Sequence, residues 1–177
     1  DGEDAAYVAR CRGLVETLGR QDDIHFVGPR PPEQIYGDLD VVVLTSFSEG
    51  QPLVILEAYA AGLPVITTDV GACREMIEGR TADRHLGPSG LVTRVATPGD
   101  TAAALVRLAR DPQQRRHMGA AGRQRVLGCD AHVGVDALHV LAQQLDDALG
   151  LHVRHQAARE DRRRLGRHHG LDAGALI

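Results

Sequence analysis

Aromatic side chains are scarce in this sequence. Its 177 residues include no Trp, three Tyr and two Phe, only 3% aromatic in all. Val, Leu, Ile and Ala must therefore fill the core, and a hydrophobic content of 43% supplies them. Cysteine is equally sparse: Cys11, Cys73 and Cys129 are far apart and odd in number. That pattern excludes a disulfide framework and a metal-spaced cysteine pair, and it reads as reduced, structural thiols in a cytosolic protein. Cys73 lies close in sequence to the candidate site described below, where a small packing residue is the better reading than a reactive thiol. No apolar run reaches membrane-spanning length, and the acidic start Asp1-Gly2-Glu3-Asp4 is no secretory signal. A formal charge of −4 argues against a general nucleic-acid binder. The expectation is one soluble globular domain with a sizeable core.

The chain is organised around Ser46 to Thr68. The β-branched run Val41-Val42-Val43-Leu44-Thr45 reads as a buried parallel strand. Ser46 to Gln51 follows as a strand-to-helix loop, Pro52 suits the first helical position, and Gly62 and Pro64 close the helix. Val65 to Thr68 then begins the next strand, which completes a strand–helix–strand crossover.

Two features of this unit point to a ligand. Every residue from Leu53 to Ala61 is apolar except Glu57, with Tyr59 only partly polar, so the helix reads as buried and its carboxylate as in need of a partner. That partner is a ligand, or else Glu57 reaches solvent or an Arg; the residue alone leaves these open. The second feature is the helix start, where the N–H groups of Leu53 and Val54 open toward flexible Gly50. Open donors and partial positive charge suit a phosphate, although most helix N-termini bind only water. Glu49 stands just before this end, seven residues separating it from Glu57. An anion cradle flanked by two carboxylates suits a diphosphate between two hydroxyl-rich groups, as in a nucleotide sugar.

Around this unit, strands alternate with helices. Asp4 to Leu18 carries Ala5, Val8, Ala9, Leu14, Val15 and Leu18 at helical spacing and stops at Gly19. Ile24 to Gly28 reads as a short strand, Gly28 to Pro32 as a stiff loop, and Glu33 to Tyr36 as a short helix. After Thr68, a loop leads to a short helix Cys73–Glu78, a polar irregular stretch Gly79–Pro88, and an edge strand Gly90–Val95. Asp100 is expected to cap a helix Thr101–Arg110 with Ala103, Ala104, Leu105 and Leu108 facing inward. Asp111-Pro112 restarts a helix through Leu127, on which Arg115, Arg116, Arg123 and Arg125 read as a solvated face. Asp130 to Leu149 supports one more amphipathic helix. From about Leu151 the composition turns basic, and 150–177 reads as a poorly ordered tail in preference to a surface for anionic partners. The pattern predicts an α/β fold with a doubly wound parallel sheet and a helical C-terminal extension, its ligands outside the carboxyl ends of the strands.

The run Ser-x-Ser-Glu-Gly-x-Pro-Leu-Val-Ile-Leu-Glu-Ala-x-Ala-Ala-Gly-x-Pro-Val resembles the signature of GT-B retaining glycosyltransferases of the family-four type, whose paired Glu positions fall on Glu49 and Glu57. The following Thr68-Asp69-Val70-Gly71-Ala72-Cys73-Arg74-Glu75 looks most like the Pel exopolysaccharide branch. The resemblance runs from about Asp1 to about Leu127. It implies a Rossmann-like nucleotide-sugar-binding domain over 1–149, the C-terminal half of a GT-B fold without its first strands. Glu49 would then be the catalytic residue, orienting the transferred sugar for front-face transfer. Gly50 and Gln51 would lie beside that sugar, Leu53 and Val54 would hold the diphosphate, and Glu57 would accept from both ribose hydroxyls. Pro29 and Arg30 would lie at the base-binding edge.

The same resemblance implies no cofactor and no metal, a nucleotide diphosphate sugar of the UDP-glucose kind as donor, and a polysaccharide or glycolipid acceptor. The implied partners are a separate N-terminal GT-B half and a membrane polysaccharide-assembly complex, with no nucleic acid. The implied location is cytoplasmic, including the inner face of the membrane. The family's Arg and Lys pair against the diphosphate falls on a segment before this sequence, so the isolated chain is expected to be an inefficient enzyme. The alternative is a noncatalytic or truncated fragment that needs the separate N-terminal half. A nucleotide-sugar epimerase on the same architecture has no support, because the Glu-bearing loop follows the transferase pattern.

Overall fold

The computed structural model describes residues 2–128, which fall into two units, 2–30 and 31–128. The expected helix at 130–149, the basic tail at 150–177 and Cys129 lie outside the described residues.

In the first unit α1 spans Gly2–Thr17 and ends with Gly19 and Arg20 returning their N–H groups to Glu16 and Val15 (both 3.0 Å). Tyr7, Val8 and Leu14 on this helix and Leu18 just past it are exposed. Ile24 to Gly28 forms no strand, and Gly28 turns the chain at φ +67°. A strand exists through its ladder, and these groups are used locally: Ile24 N–H bonds Arg20 O at 3.0 Å and Val27 O accepts the Arg30 guanidinium at 3.4 Å. Arg12 also lies over the Phe26 ring, 4.8 Å from its centre.

The second unit is a three-stranded parallel sheet in the order β1 (Val42–Leu44), β2 (Val65–Thr68), β3 (Gly90–Thr93). Val42 pairs with Val65 and Val65 with Gly90, so consecutive residues alternate between two faces. On one face Val42 and Val65 join Tyr36, Ile55, Tyr59, Cys73 and Ile77, which come from the short α2 (Pro32–Ile35) and its following 3₁₀ turn, α3 (Leu53–Ala60) and α4 (Cys73–Glu78). On the other, Ile66 meets Ala104 and Leu108 of α5 (Pro98–Arg110) and Met118 of α6 (Pro112–Gly128). Cys73 is buried in the first cluster, a packing residue. The arrangement is Rossmann-like, and β3 occupies the edge as expected. Close approach of α6 to α3 depends on Gly119 and Gly122: a Cβ would stand 1.9 Å from Gly62 O at the first and 2.5 Å from the Tyr59 ring at the second.

Three local expectations change. Helix α5 starts at Pro98, because proline's preset φ suits N1. Asp100 then lies in the first turn and pairs with Arg94 (2.7 and 3.1 Å) instead of capping. Ala103 is exposed, while Ala104 and Leu108 are buried. The arginines of α6 are mostly not a solvated face. Arg125, with 6% of its side chain exposed, donates to Asp83 Oδ2 (3.1 Å), Gly87 O and Ile77 O. Arg123 donates to Ala60 O (2.8 Å) and Arg115 to Leu108 O and Ala109 O (2.5 and 3.0 Å). Only Arg116 of the four is exposed. Guanidinium groups reach carbonyls left open where helices and loops end, so they fasten α6 to its neighbours.

Candidate functional site

The loops at the carboxyl ends of β1 and β2 meet on one edge of the sheet. Thr68 Oγ1, at the end of β2, donates to Ser46 O at 2.6 Å, and Ala72 N–H donates to Gly50 O at 3.0 Å. Between them Gly71 has φ +50°, and a Cβ there would lie 2.0 Å from Glu49 O and 2.8 Å from Gly50 O. The second loop thus clamps the first backbone to backbone. Within the first, Ser46 Oγ donates to Glu49 Oε1 at 2.6 Å, and no described residue donates to Oε2.

Helix α3 begins one residue later than its sequence suggests. Pro52 is the N-cap, with φ −71° and an extended ψ of 123°, and its carbonyl accepts from Ile55 N–H at 3.2 Å. Proline's φ fits either position, and the turn out of the Ser46–Gln51 loop holds its ψ extended. Among the described residues nothing accepts from the N–H groups of Gly50, Gln51, Leu53 or Val54. Leu53 is 66% exposed and Val54 half-buried, so α3 is not buried all round: Leu53 faces out while Ile55 stays in the core. Phe47 in the loop is 75% exposed.

Glu57 lies half-buried on the second turn of α3. Its protein partner is neither an Arg nor water alone. Tyr36 Oη donates to Oε2 at 2.8 Å, and no described residue donates to Oε1. Burial first, then the Glu57 hydrogen bond and charge, raise the Tyr36 phenol well above its ordinary range, so this proton stays on tyrosine. One sheet edge therefore gathers four open N–H groups and two carboxylates that each keep one oxygen open. Such a surface can hold an anion and accept from neighbouring hydroxyls.

Glu49, Gly50, Gln51, Leu53, Val54 and Glu57 all belong to this constellation. Pro29 and Arg30 belong to the first unit, where the Arg30 guanidinium turns back to Val27 O. Sequence reasoning passed over Tyr36, Thr68 and Gly71. Tyr36 stands 21 residues before Glu57, and no local spacing links them. Gly71 carried a usable signal, a lone glycine three residues after the end of β2.

An opening of about 370 Å³ lies between β3 and α5. Its cations are already committed: Arg74 to Asp69 and Glu78 (2.8 and 2.6 Å), Arg94 to Asp100, Arg107 to Gln114 Oε1 (2.9 Å). Those bonds hold the Asp69 and Asp100 carboxyls below their usual range. The lining holds three Arg against two Asp, but each guanidinium already has a side-chain acceptor, so this groove offers an anion less than the open N–H groups of the α3 terminus do. Among the described residues no cluster of His, Cys, Asp or Glu is placed to hold a metal ion, and no helix is long and apolar enough to cross a membrane.

Residues 1–111 match the family described as "Glycosyl transferases group 1". The chain is 34% identical over 142 residues to a D-inositol 3-phosphate glycosyltransferase of Corynebacterium jeikeium, covering 78% of this chain and 32% of that one. Among solved structures it is similar to the C-terminal domain of a glycosyl transferase group 1 family protein from Francisella tularensis, with a TM-score of 0.61 and 26% identity over 73% of this chain and 65% of that one. An Anabaena protein solved in complex with UDP shares the fold, with a TM-score of 0.62 and 20% identity over 84% of this chain and 38% of that one. The chain spans about a third or less of the curated relatives it matches.

Proposed function

The chain belongs to the glycosyl transferases group 1 family, and from that premise we propose that residues 31–128 bind the nucleotide-sugar donor of a retaining GT-B glycosyltransferase. The observation that carries this reading is the run of open N–H groups at Gly50, Gln51, Leu53 and Val54 beside the unoccupied oxygens of Glu49 and Glu57. Leu53 and Val54 take the diphosphate at the positive end of α3. Glu57 accepts from the ribose hydroxyls. Glu49 orients the transferred sugar next to Gly50 and Gln51.

Transfer breaks the bond between the sugar and the diphosphate, so charge grows on the departing phosphate oxygen. Fixed donors aimed at that oxygen lower the barrier without a metal. Each charge-assisted hydrogen bond is worth about 1.5–3 kcal/mol. Turnover also needs an acceptor-binding half, which we assign to the N-terminal half of a GT-B fold acting in polysaccharide or glycolipid assembly. UDP-glucose as donor follows from the Pel-like resemblance. The similarity to D-inositol 3-phosphate glycosyltransferases favours a phosphorylated polyol as a second acceptor class.

Calorimetric titration of UDP-glucose and other nucleotide sugars into the chain tests this proposal, with Glu57→Ala expected to weaken binding about tenfold or more. Equal affinity in the wild type and the variant would remove Glu57 from the site.

A further inference from the structure

Tyr36 opens the 3₁₀ turn Tyr36–Asp38, and its ring is buried in the apolar cluster beneath α3. A phenylalanine would fill that cluster equally well. The hydroxyl adds only the bond to Glu57 Oε2, and a buried hydroxyl is costly unless so bonded. Glutamate is otherwise a rotamer-rich side chain, and α3 supplies no other described partner to fix it. With Oε2 held from the protein side, Oε1 is the oxygen left for a ligand.

We infer that Tyr36 is a positioning residue: its hydroxyl locks the Glu57 carboxylate so that Oε1 meets the vicinal hydroxyls of a nucleotide's ribose, which sets a preference for ribonucleotides over their dideoxy analogues. This rests on the reading of Glu57 as the ribose-binding carboxylate. The hydroxyl touches no substrate atom and acts through Glu57. Its removal costs the grip on ribose and leaves the grip on diphosphate, which belongs to the backbone of α3.

The test titrates UDP and 2′,3′-dideoxy-UDP calorimetrically into the 177-residue chain. The wild type is expected to prefer UDP by about tenfold or more, the strength of one charge-assisted hydrogen bond. Tyr36→Phe should hold the dideoxy affinity within about twofold while the UDP affinity falls about fivefold to tenfold. A Tyr36→Phe chain that keeps the full preference overturns the inference. So does one that loses both ligands equally or does not fold, since the hydroxyl then serves the fold. Glu57→Ala separates the two levels of the argument: it should erase the preference. A preference that survives Glu57→Ala, or that is missing from the wild type, sinks the site reading itself and this inference with it.

Discussion

Gly71→Ala tests how the loop bearing Glu49 is held. At φ +50° an L-residue pays about 1–2 kcal/mol for the left-handed conformation. The new Cβ would stand 2.0 Å from Glu49 O, 2.8 Å from Gly50 O and 2.9 Å from Glu49 C. Non-bonded carbon and oxygen settle about 3.3–3.6 Å apart, so the two loops must separate by more than about 1 Å. All three atoms are backbone, and no rotamer change relieves the contact. Separation also breaks the Ala72 N–H to Gly50 O bond, a loss of about 1 kcal/mol. Together these give about 2–3 kcal/mol of destabilisation and a displaced Glu49. Urea unfolding followed by circular dichroism reads the stability, and calorimetry reads the donor affinity. Gly50→Ala is the stability control: no heavy atom lies within 4 Å of its Cβ, so it should change stability by less than about 0.5 kcal/mol. If Gly71→Ala unfolds at the wild-type urea midpoint, the clamp does not exist.

Two further predictions concern the framework. Arg125→Ala strands Asp83, whose Oδ1 is already buried without a partner among the described residues, and leaves Gly87 O unpaired, while Ile77 O keeps its bonds from Ser89. A fully buried pair would lose about 3–5 kcal/mol; with Asp83 one-third exposed, about 2–4 is expected in urea unfolding, against less than about 0.5 for exposed Arg116→Ala. An Arg125→Ala loss below about 1 kcal/mol would remove the network from the account. Burial raises the Tyr59 phenol to about 12, against smaller lowering effects of Ser89 and Arg125, and Tyr36 shifts the same way. A raised folded value means that this stability is complete below the unfolded value of about 10 and is lost as pH rises through the folded one. Stability should therefore fall above about pH 10, by about 1.4 kcal/mol per pH unit for Tyr59, with phenolate absorbance rising as the chain unfolds. Stability that is flat from about pH 10 to 12 would contradict the burial of these phenols.

Much of the second unit was legible in the sequence because its signals are local. β2 at Val65–Thr68 and α4 at Cys73–Glu78 have the boundaries that periodicity and Gly/Pro punctuation give them. What was not legible depends on distant partners. Residues 24–28 look like a strand by composition, but a ladder needs a neighbour that composition does not name. Arg115, Arg123 and Arg125 look like a polar helix face, yet each reaches a carbonyl that only the folded chain brings close. Glu57 was visible as an oddity on an apolar helix, whereas its partner Tyr36 belongs to another element. The candidate site was therefore readable in its motif residues and unreadable in the contacts that hold them.

Amide chemical-shift mapping by NMR, with UDP-glucose titrated into the chain, tests the central claim most directly. The largest shifts are expected at Gly50, Gln51, Leu53 and Val54, reached only at about tenfold higher ligand concentration in Glu57→Ala. Shifts concentrated instead at Leu91–Arg94 and Ala103–Arg107, along the groove between β3 and α5, would contradict it.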